Sequence, residues 1–205
     1  MTSQQQVDRP DLDPLFADLA HPNPHLQMQA YLAMVDHWPE ESMPRLLSLL
    51  DQPDVSLRRA AVRGLGAFGQ RALQPIAELF AQSDDGTVRA SCVKAYAQIA
   101  SNFPDQDFSD DAMSVLEKAL GDSSPVVSQS AVMALGQVGV QALPLLIQIC
   151  KGDNIAHVQS AAMALAEIPD PRAGACLREV LNDPNTDPLS RQMVEASLGR
   201  LDSAS

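Results

Sequence analysis

Aromatic residues are scarce, at 4% of the 205-residue chain. With 45% of residues apolar, the core must be built mainly from Leu, Val, Ile, Met and Ala, which favours close-packed helices over sheets. Cysteine is rare as well. Cys92, Cys150 and Cys176 are odd in number and lie 58 and 26 residues apart, fitting neither a disulfide framework nor a C-x-x-C metal site, so reduced thiols are expected. Positive charge is the third shortage. Fourteen Lys and Arg against 26 Asp and Glu leave a net charge of −12, a field that repels phosphate backbones and anionic lipid, and no local basic patch offsets it.

Long apolar runs are missing too: Leu143–Cys150 is broken by Pro144 and Gln148 and falls short of the ~20 residues of a membrane span. Residues 1–10 carry neither the basic nor the apolar region of a secretory signal, so a soluble, cytoplasmic protein is expected. The chain has no G-x-S-x-G, no glycine-rich phosphate loop and no H-E-x-x-H, so nothing marks self-contained catalysis. The four histidines are too scattered for a metal cluster. His21 and His25 share a possible helical face, but Pro22 and Pro24 intervene and a turn role is expected.

What is present is a repeat. With Leu65 as anchor, its counterparts are Met34, Tyr96, Leu135, Leu165 and Leu198, separated by 31, 31, 39, 30 and 33 residues. The flanking residues are small at nearly every anchor, and four residues earlier stand Ala30, Ala61, Cys92, Ala131, Ala161 and Val194, one turn back on the same helical face. Such a stripe lets helices approach closely. Eleven residues before each anchor come Asn23, Asp54, Asp85, Ser124, Asn154 and Asp187, all types whose side chains cap helix N-termini; Pro24, Pro125 and Pro188 follow three of them. Pro44, Pro75 and Pro144 recur ten residues before their caps, inside a second apolar segment. Each unit therefore reads as helix, short turn, helix.

This pattern looks like an all-α, right-handed α-solenoid of about six HEAT-like helix pairs, stabilised by stacking of neighbours because no unit of ~31 residues buries its own apolar face. The expected organisation is a flexible tail over 1–10, one array over 11–201 and a short tail over 202–205. The 39-residue spacing marks an insertion at 102–110, NFPDQDFSD, in which Phe103 and Phe108 either pack back onto the array or contact a partner.

Binding is the default role of such an array, so the informative residues are the unusual ones on second helices. Arg58, Arg89 and Arg191 each lie seven residues before an anchor. They either pair with nearby acids such as Asp54, Asp84 or Asp85, or recognise carboxylates, with Arg59 and Arg63 extending the positive group. Tyr31, His37 and Trp38, in or after the first unit, either cap the array or mark a docking surface. Cys92 takes a position held by Ala in four of the other five units, so burial is expected there.

The segments HPNPHLQMQAYL, LRRAAVRGLGAFG, TVRASCVKAYAQIASNFP and SSPVVSQSAVMALGQVG, in this order, resemble the phycobilisome-lyase HEAT-like repeat family of cyanobacteria over about residues 21–201. Within it the chain is most similar to the shorter, chaperone-like partner of the heterodimeric Y/Z-type phycoerythrobilin lyases. The resemblance implies assistance in forming a thioether between a phycobiliprotein cysteine and a linear tetrapyrrole. It also implies a longer HEAT-repeat partner in a heterodimer, a phycobiliprotein subunit as client, and a phycobilin (phycoerythrobilin or phycocyanobilin) as transient ligand, with no tightly bound cofactor and no nucleic acid. It supplies no catalytic residues. Arg58, Arg59, Arg63, Arg89, Tyr31 and Trp38 are the residues expected to touch bilin or partner. The competing expectation is a non-enzymatic protein-binding scaffold, such as an adaptor for phycobilisome degradation or a partner in iron–sulfur assembly. Its test is visible absorbance on mixing with bilin.

Overall fold

The structure is a computed structural model that describes residues 9–204; residues 1–8 of the expected N-terminal tail lie outside it. Twelve α-helices follow in order and pair by sequence. Each first helix, α1 (Leu12–Asp18), α3 (Pro39–Ser48), α5 (Gln70–Gln82), α7 (Asp110–Leu120), α9 (Leu143–Cys150) and α11 (Pro171–Asn182), is followed by a second. The second helices are α2 (Pro24–His37), α4 (Val55–Ala67), α6 (Gly86–Asn102), α8 (Pro125–Val138), α10 (Ile155–Glu167) and α12 (Pro188–Ala204). No strand occurs among the described residues. Helix α12 continues to Ala204, through most of the segment expected as a C-terminal tail.

Second helices start where the cap residues stand. The side chains of Asn23, Asp54, Asp85, Asn154 and Asp187 accept hydrogen bonds from backbone amides of the first turn, satisfying donors that no helical carbonyl reaches. Ser124 departs from the pattern: its hydroxyl makes no cap bond, and its own amide donates to Asp122 Oδ1 at 2.8 Å, so Asp122 fixes the turn instead.

The second helices stack in series, α2 on α4, α4 on α6 and so on to α12, and five of the six anchors are in the core. Met34, Leu65, Tyr96, Leu135 and Leu165 are fully buried, each apolar side chain contributing roughly 1.5–3 kcal/mol by removal from water. Leu198, near the open end of the array, is half-buried. Small neighbours allow the close approach. A Cβ on Gly66 would meet Gln98 Cγ of α6 at 2.2 Å, so α6 can lie on α4 only because nothing projects there.

The insertion packs back on the array. Phe108 is buried, its ring edge-on to Tyr96 at 5.7 Å, and Gln141 holds its backbone from both sides: Phe108 N–H donates to Gln141 Oε1 at 2.9 Å and Gln141 Nε2 donates to Phe108 O at 2.7 Å. Tyr96 in turn donates its hydroxyl to Leu73 O at 2.9 Å.

The stretch Pro125–Cys150 is 26 residues long with a window of mean hydropathy 1.6, long and apolar enough by composition alone to cross a membrane. It is not one rod. The chain turns at Gly139, φ 75°, through a 3-10 turn over Gly139–Ala142, and the two resulting helices, α8 and α9, pack against each other in the core.

Candidate functional site

Because second helices stack by their small stripes, the opposite face of each is left uncovered. All the large exposed apolar side chains among the described residues except Val140 lie on second helices: Met28, Leu32, Val55, Val126, Met133, Ile155, Met163 and Leu189. The position two residues before each anchor forms one row across this face, reading Leu32, Arg63, Lys94, Met133, Met163 and Ala196. Its character therefore changes along the array from apolar to cationic and back to apolar.

At the α2–α4–α6 end this row borders a groove of about 700 Å³. Met28, Tyr31 and Leu32 of α2 form one wall, Ala67 of α4 lies in the middle, and Gln98, Asn102 and Phe103 form the other wall. Met28 and Leu32 are each half exposed, so the wall faces solvent. Gln98 Nε2 donates to Asn102 Oδ1 at 2.9 Å, which fixes the polar edge. Gly69 turns the chain below Phe103 with φ 57° and ψ −135°, a conformation that excludes a side chain, and a Cβ there would meet the Phe103 ring at 3.1 Å.

Arg63 connects this groove to a second depression of about 310 Å³ lined by Arg58, Arg59, Arg63 and Lys94. Arg63 donates to Gln27 Oε1 at 3.0 Å and to the Tyr31 hydroxyl at 3.4 Å. Burial pushes the Tyr31 phenol up from its ordinary range, against the smaller opposing effect of the Arg63 hydrogen bond and charge. Arg59, Arg63 and Lys94 are exposed, and none of the four cations is in an ion pair with a described residue. In a chain of net charge −12, this is a local reversal of sign that the overall composition conceals.

The structure thus brings together Arg58, Arg59, Arg63 and Tyr31 of the residues expected from sequence, and places Arg89 and Trp38 elsewhere. Arg89 points to the next turn, its Nε and Nη2 donating to Asp122 Oδ2 and Oδ1 at 2.7 and 3.1 Å. The acid is therefore Asp122, not Asp54, Asp84 or Asp85. The shared phase of Arg58, Arg89 and Arg191 has a local cause, because each donates to backbone carbonyls at the end of the preceding helix or in the turn after it: Arg58 to Gln52 and Pro53, Arg89 to Ser83, Arg191 to Leu181 and Asp183. They close the turn between paired helices.

Trp38 holds the start of the described chain. Its indole N–H donates to Pro10 O at 2.7 Å, and the Arg9 guanidinium lies 3.2 Å from the ring centroid. His37 accepts from Arg9 through its backbone carbonyl. His21 sits in the turn before α2, where its Nδ1 accepts from Asn23 N–H, whereas His25, expected in a turn, lies in the first turn of α2 and donates its backbone N–H to Asn23 Oδ1. Lys94, Met28 and Leu32 were not expected at a site, and Phe103 was expected either to pack back or to contact a partner. For Lys94 and Leu32, the row two residues before the anchors carried the signal.

The thiols are not placed for chemistry. Cys92, Cys150 and Cys176 are all buried, and burial pushes the Cys92 thiol up to about 12. No group of three or more His, Cys, Asp or Glu is arranged to hold a metal ion among the described residues.

A family model described as HEAT repeats matches residues 12–97 and 109–199, leaving the insertion between its two segments. The chain is 45% identical over 179 residues, 84% of its length and 96% of the relative's, to a bilin biosynthesis protein, CpeZ, of Synechococcus sp. (strain WH8020). It is 35% identical over 192 residues, 93% of its length and 95% of the relative's, to an uncharacterized phycocyanin operon protein Z of Pseudanabaena tenuis (strain PCC 7409). Among solved structures, the Escherichia coli protein YibA aligns with a TM-score of 0.55 at 17% identity, covering 95% of this chain and 74% of that one, a likeness of fold.

Proposed function

Because the chain belongs to the HEAT-repeat family and to the bilin biosynthesis relatives within it, we propose that it is an accessory component of bilin attachment, assisting thioether formation between a linear tetrapyrrole and phycobiliprotein cysteines. The observation that carries this reading is the 45% identity extending over 96% of a protein named for bilin biosynthesis. That match covers 84% of this chain as well.

The side chains support assistance rather than stand-alone catalysis. All three thiols are buried, so the cysteine that accepts the bilin belongs to the client. The groove contains no carboxylate or imidazole to serve as general acid or base; it offers an apolar wall, three amides and cations. Such a surface holds and orients a molecule, and orientation alone lowers the barrier to a two-component reaction. The phycobilin, phycoerythrobilin or phycocyanobilin, is on this reading a transient ligand, and Arg58, Arg59, Arg63 and Tyr31 lie on the face that meets it or the partner. The partners are a phycobiliprotein subunit and a longer HEAT-repeat lyase component in a heterodimer, acting in the cytoplasm.

The test is co-expression of a phycobiliprotein subunit with bilin-making enzymes and a longer lyase component, with and without this chain. Covalent bilin is scored by zinc fluorescence on a denaturing gel. A higher yield of bilin-loaded subunit in the presence of the chain is expected; equal yields in every combination would overturn the proposal in favour of a scaffold without bilin chemistry.

A further inference from the structure

The second-helix face holds an unexplained juxtaposition. The apolar groove of about 700 Å³ adjoins four cations that no described carboxylate neutralises, whereas Arg45, Arg89, Arg172 and Arg178 each have an acidic partner. Clustering like charges beside an exposed apolar wall is unfavourable for the free protein, since the cations repel one another and the wall stays in water. Both costs are relieved by one kind of ligand. From this geometry we infer that the α2–α4–α6 groove binds an elongated molecule with an apolar, conjugated body and carboxylates along one side.

The body lies over Met28, Leu32 and Phe103, and the carboxylates reach Arg59 and Lys94. Methionine and leucine side chains adapt to a flat body, while the Gln98 and Asn102 amides are available to polar atoms at its edge. The 700 Å³ of the groove falls in the ~300–1,000 Å³ range of small-molecule sites. An open-chain tetrapyrrole carrying two propionates has this chemistry, so the inference rests on the proposed function and assigns it a place on the chain. Arg63 acts through position: tied to Tyr31 and Gln27, it holds the boundary between the two halves.

The test uses the full chain and biliverdin as probe, read by absorbance shift and by induced circular dichroism of the pigment. Biliverdin dimethyl ester removes the carboxylates, and oleate supplies one carboxylate without a conjugated body. The expected result is saturable binding of biliverdin that weakens as salt is raised, about tenfold or more weaker binding of the ester, and no displacement by equimolar oleate. The double substitution Arg59→Glu with Lys94→Glu, and separately Leu32→Asp, should each weaken binding about tenfold or more, with an unchanged far-ultraviolet spectrum. Met163→Asp, on the same face but outside the groove, should leave binding unchanged.

Absent biliverdin binding, equal binding of acid and ester, stronger binding of oleate, or indifference to the groove substitutions each overturns the inference. The two readings fail separately. A chain that binds biliverdin through these residues yet never raises the yield of bilin-loaded subunit keeps the groove and loses the accessory function. One that raises the yield with its groove substitutions in place keeps the function and loses the groove.

Discussion

Arg89 and Asp122 form a two-bond fork across consecutive units, and their side chains are only 16% and 9% exposed. The same Asp122 carboxylate accepts from Ser124 N–H at 2.8 Å, so one acid fixes both the unit-to-unit contact and the turn entering α8. The Arg89 hydrogen bond, with help from the Ser124 amide, holds the Asp122 carboxyl below its ordinary value of 3.8. Its contribution to stability is therefore present above that value and is lost as pH falls through the lower folded value. Asp122→Asn keeps the size and loses the charge, and should cost about 2 kcal/mol at pH 7 by urea denaturation. At pH 2.5 the difference between variant and parent should narrow.

Gln141 is the clamp on the insertion. Its amide satisfies both the N–H and the carbonyl of Phe108, and without it two backbone groups of a largely buried residue lose their partners. Gln141→Ala should cost about 1–3 kcal/mol and open the segment around Phe103 and Phe108 to limited proteolysis. Gln141→Glu retains one acceptor but no amide donor, so the Phe108 carbonyl stays unpaired and only part of the loss should be recovered. Equal protease sensitivity of parent and Gln141→Ala would show that the ring of Phe108, not its backbone, secures the loop.

Local chemistry was legible in the sequence and long-range pairing was not. Cap residues act on amides two or three positions away, and the anchors and small stripe repeat because every unit faces the same neighbour, so helix starts and buried positions could be read directly. Arg59 and Arg63 were expected to extend the positive group of Arg58, and the structure puts all three beside one depression because they are close on one helix. Arg89 shows the limit: its repeat phase matches that of Arg58, but its fate was decided by Asp122, 33 residues onward. Trp38 is the same case, since its partner Pro10 is 28 residues upstream. The apolar half of the groove was not singled out because residue type alone does not separate Met28 and Leu32 from the buried apolar residues of α2, and only stacking shows that their side of α2 has no neighbour.

The three cysteines predict a silent protein toward thiol reagents. Cys92 lies in the α6 stripe with its thiol pushed up to about 12, and Cys150, the last residue of α9, is pushed up by a hydrogen bond to Cys176 and by burial. At pH 8 thiols of that kind stay protonated; Cys176 goes the other way, lowered by the Cys150 hydrogen bond and the Lys151 charge against the opposing effect of burial, and it is shielded by its packing alone. Ellman's reagent should therefore label the native chain much more slowly than the urea-unfolded chain, which should release three equivalents. Fast labelling of one equivalent in the native state would identify a thiol more accessible than the packing allows.

Trp38 is the chain's single tryptophan, so its fluorescence reports one place, the junction of α2, α3 and the segment at Arg9 and Pro10. The indole N–H is tied to a carbonyl, one face carries a guanidinium, and the ring is partly buried against the core. Removing residues 1–10 breaks both contacts together and should shift emission to the red by exposing the ring to water. Arg9→Ala removes the cation–π contact, worth about 0.5–1 kcal/mol at an exposed site, together with the Arg9 bond to His37 O, but leaves the Trp38–Pro10 hydrogen bond, and should change intensity more than wavelength. Neither change touches the groove across α2, α4 and α6. Biliverdin affinity should therefore be the same for the truncated chain and the parent, and a loss of affinity on truncation would place part of the binding surface at the Trp38 end.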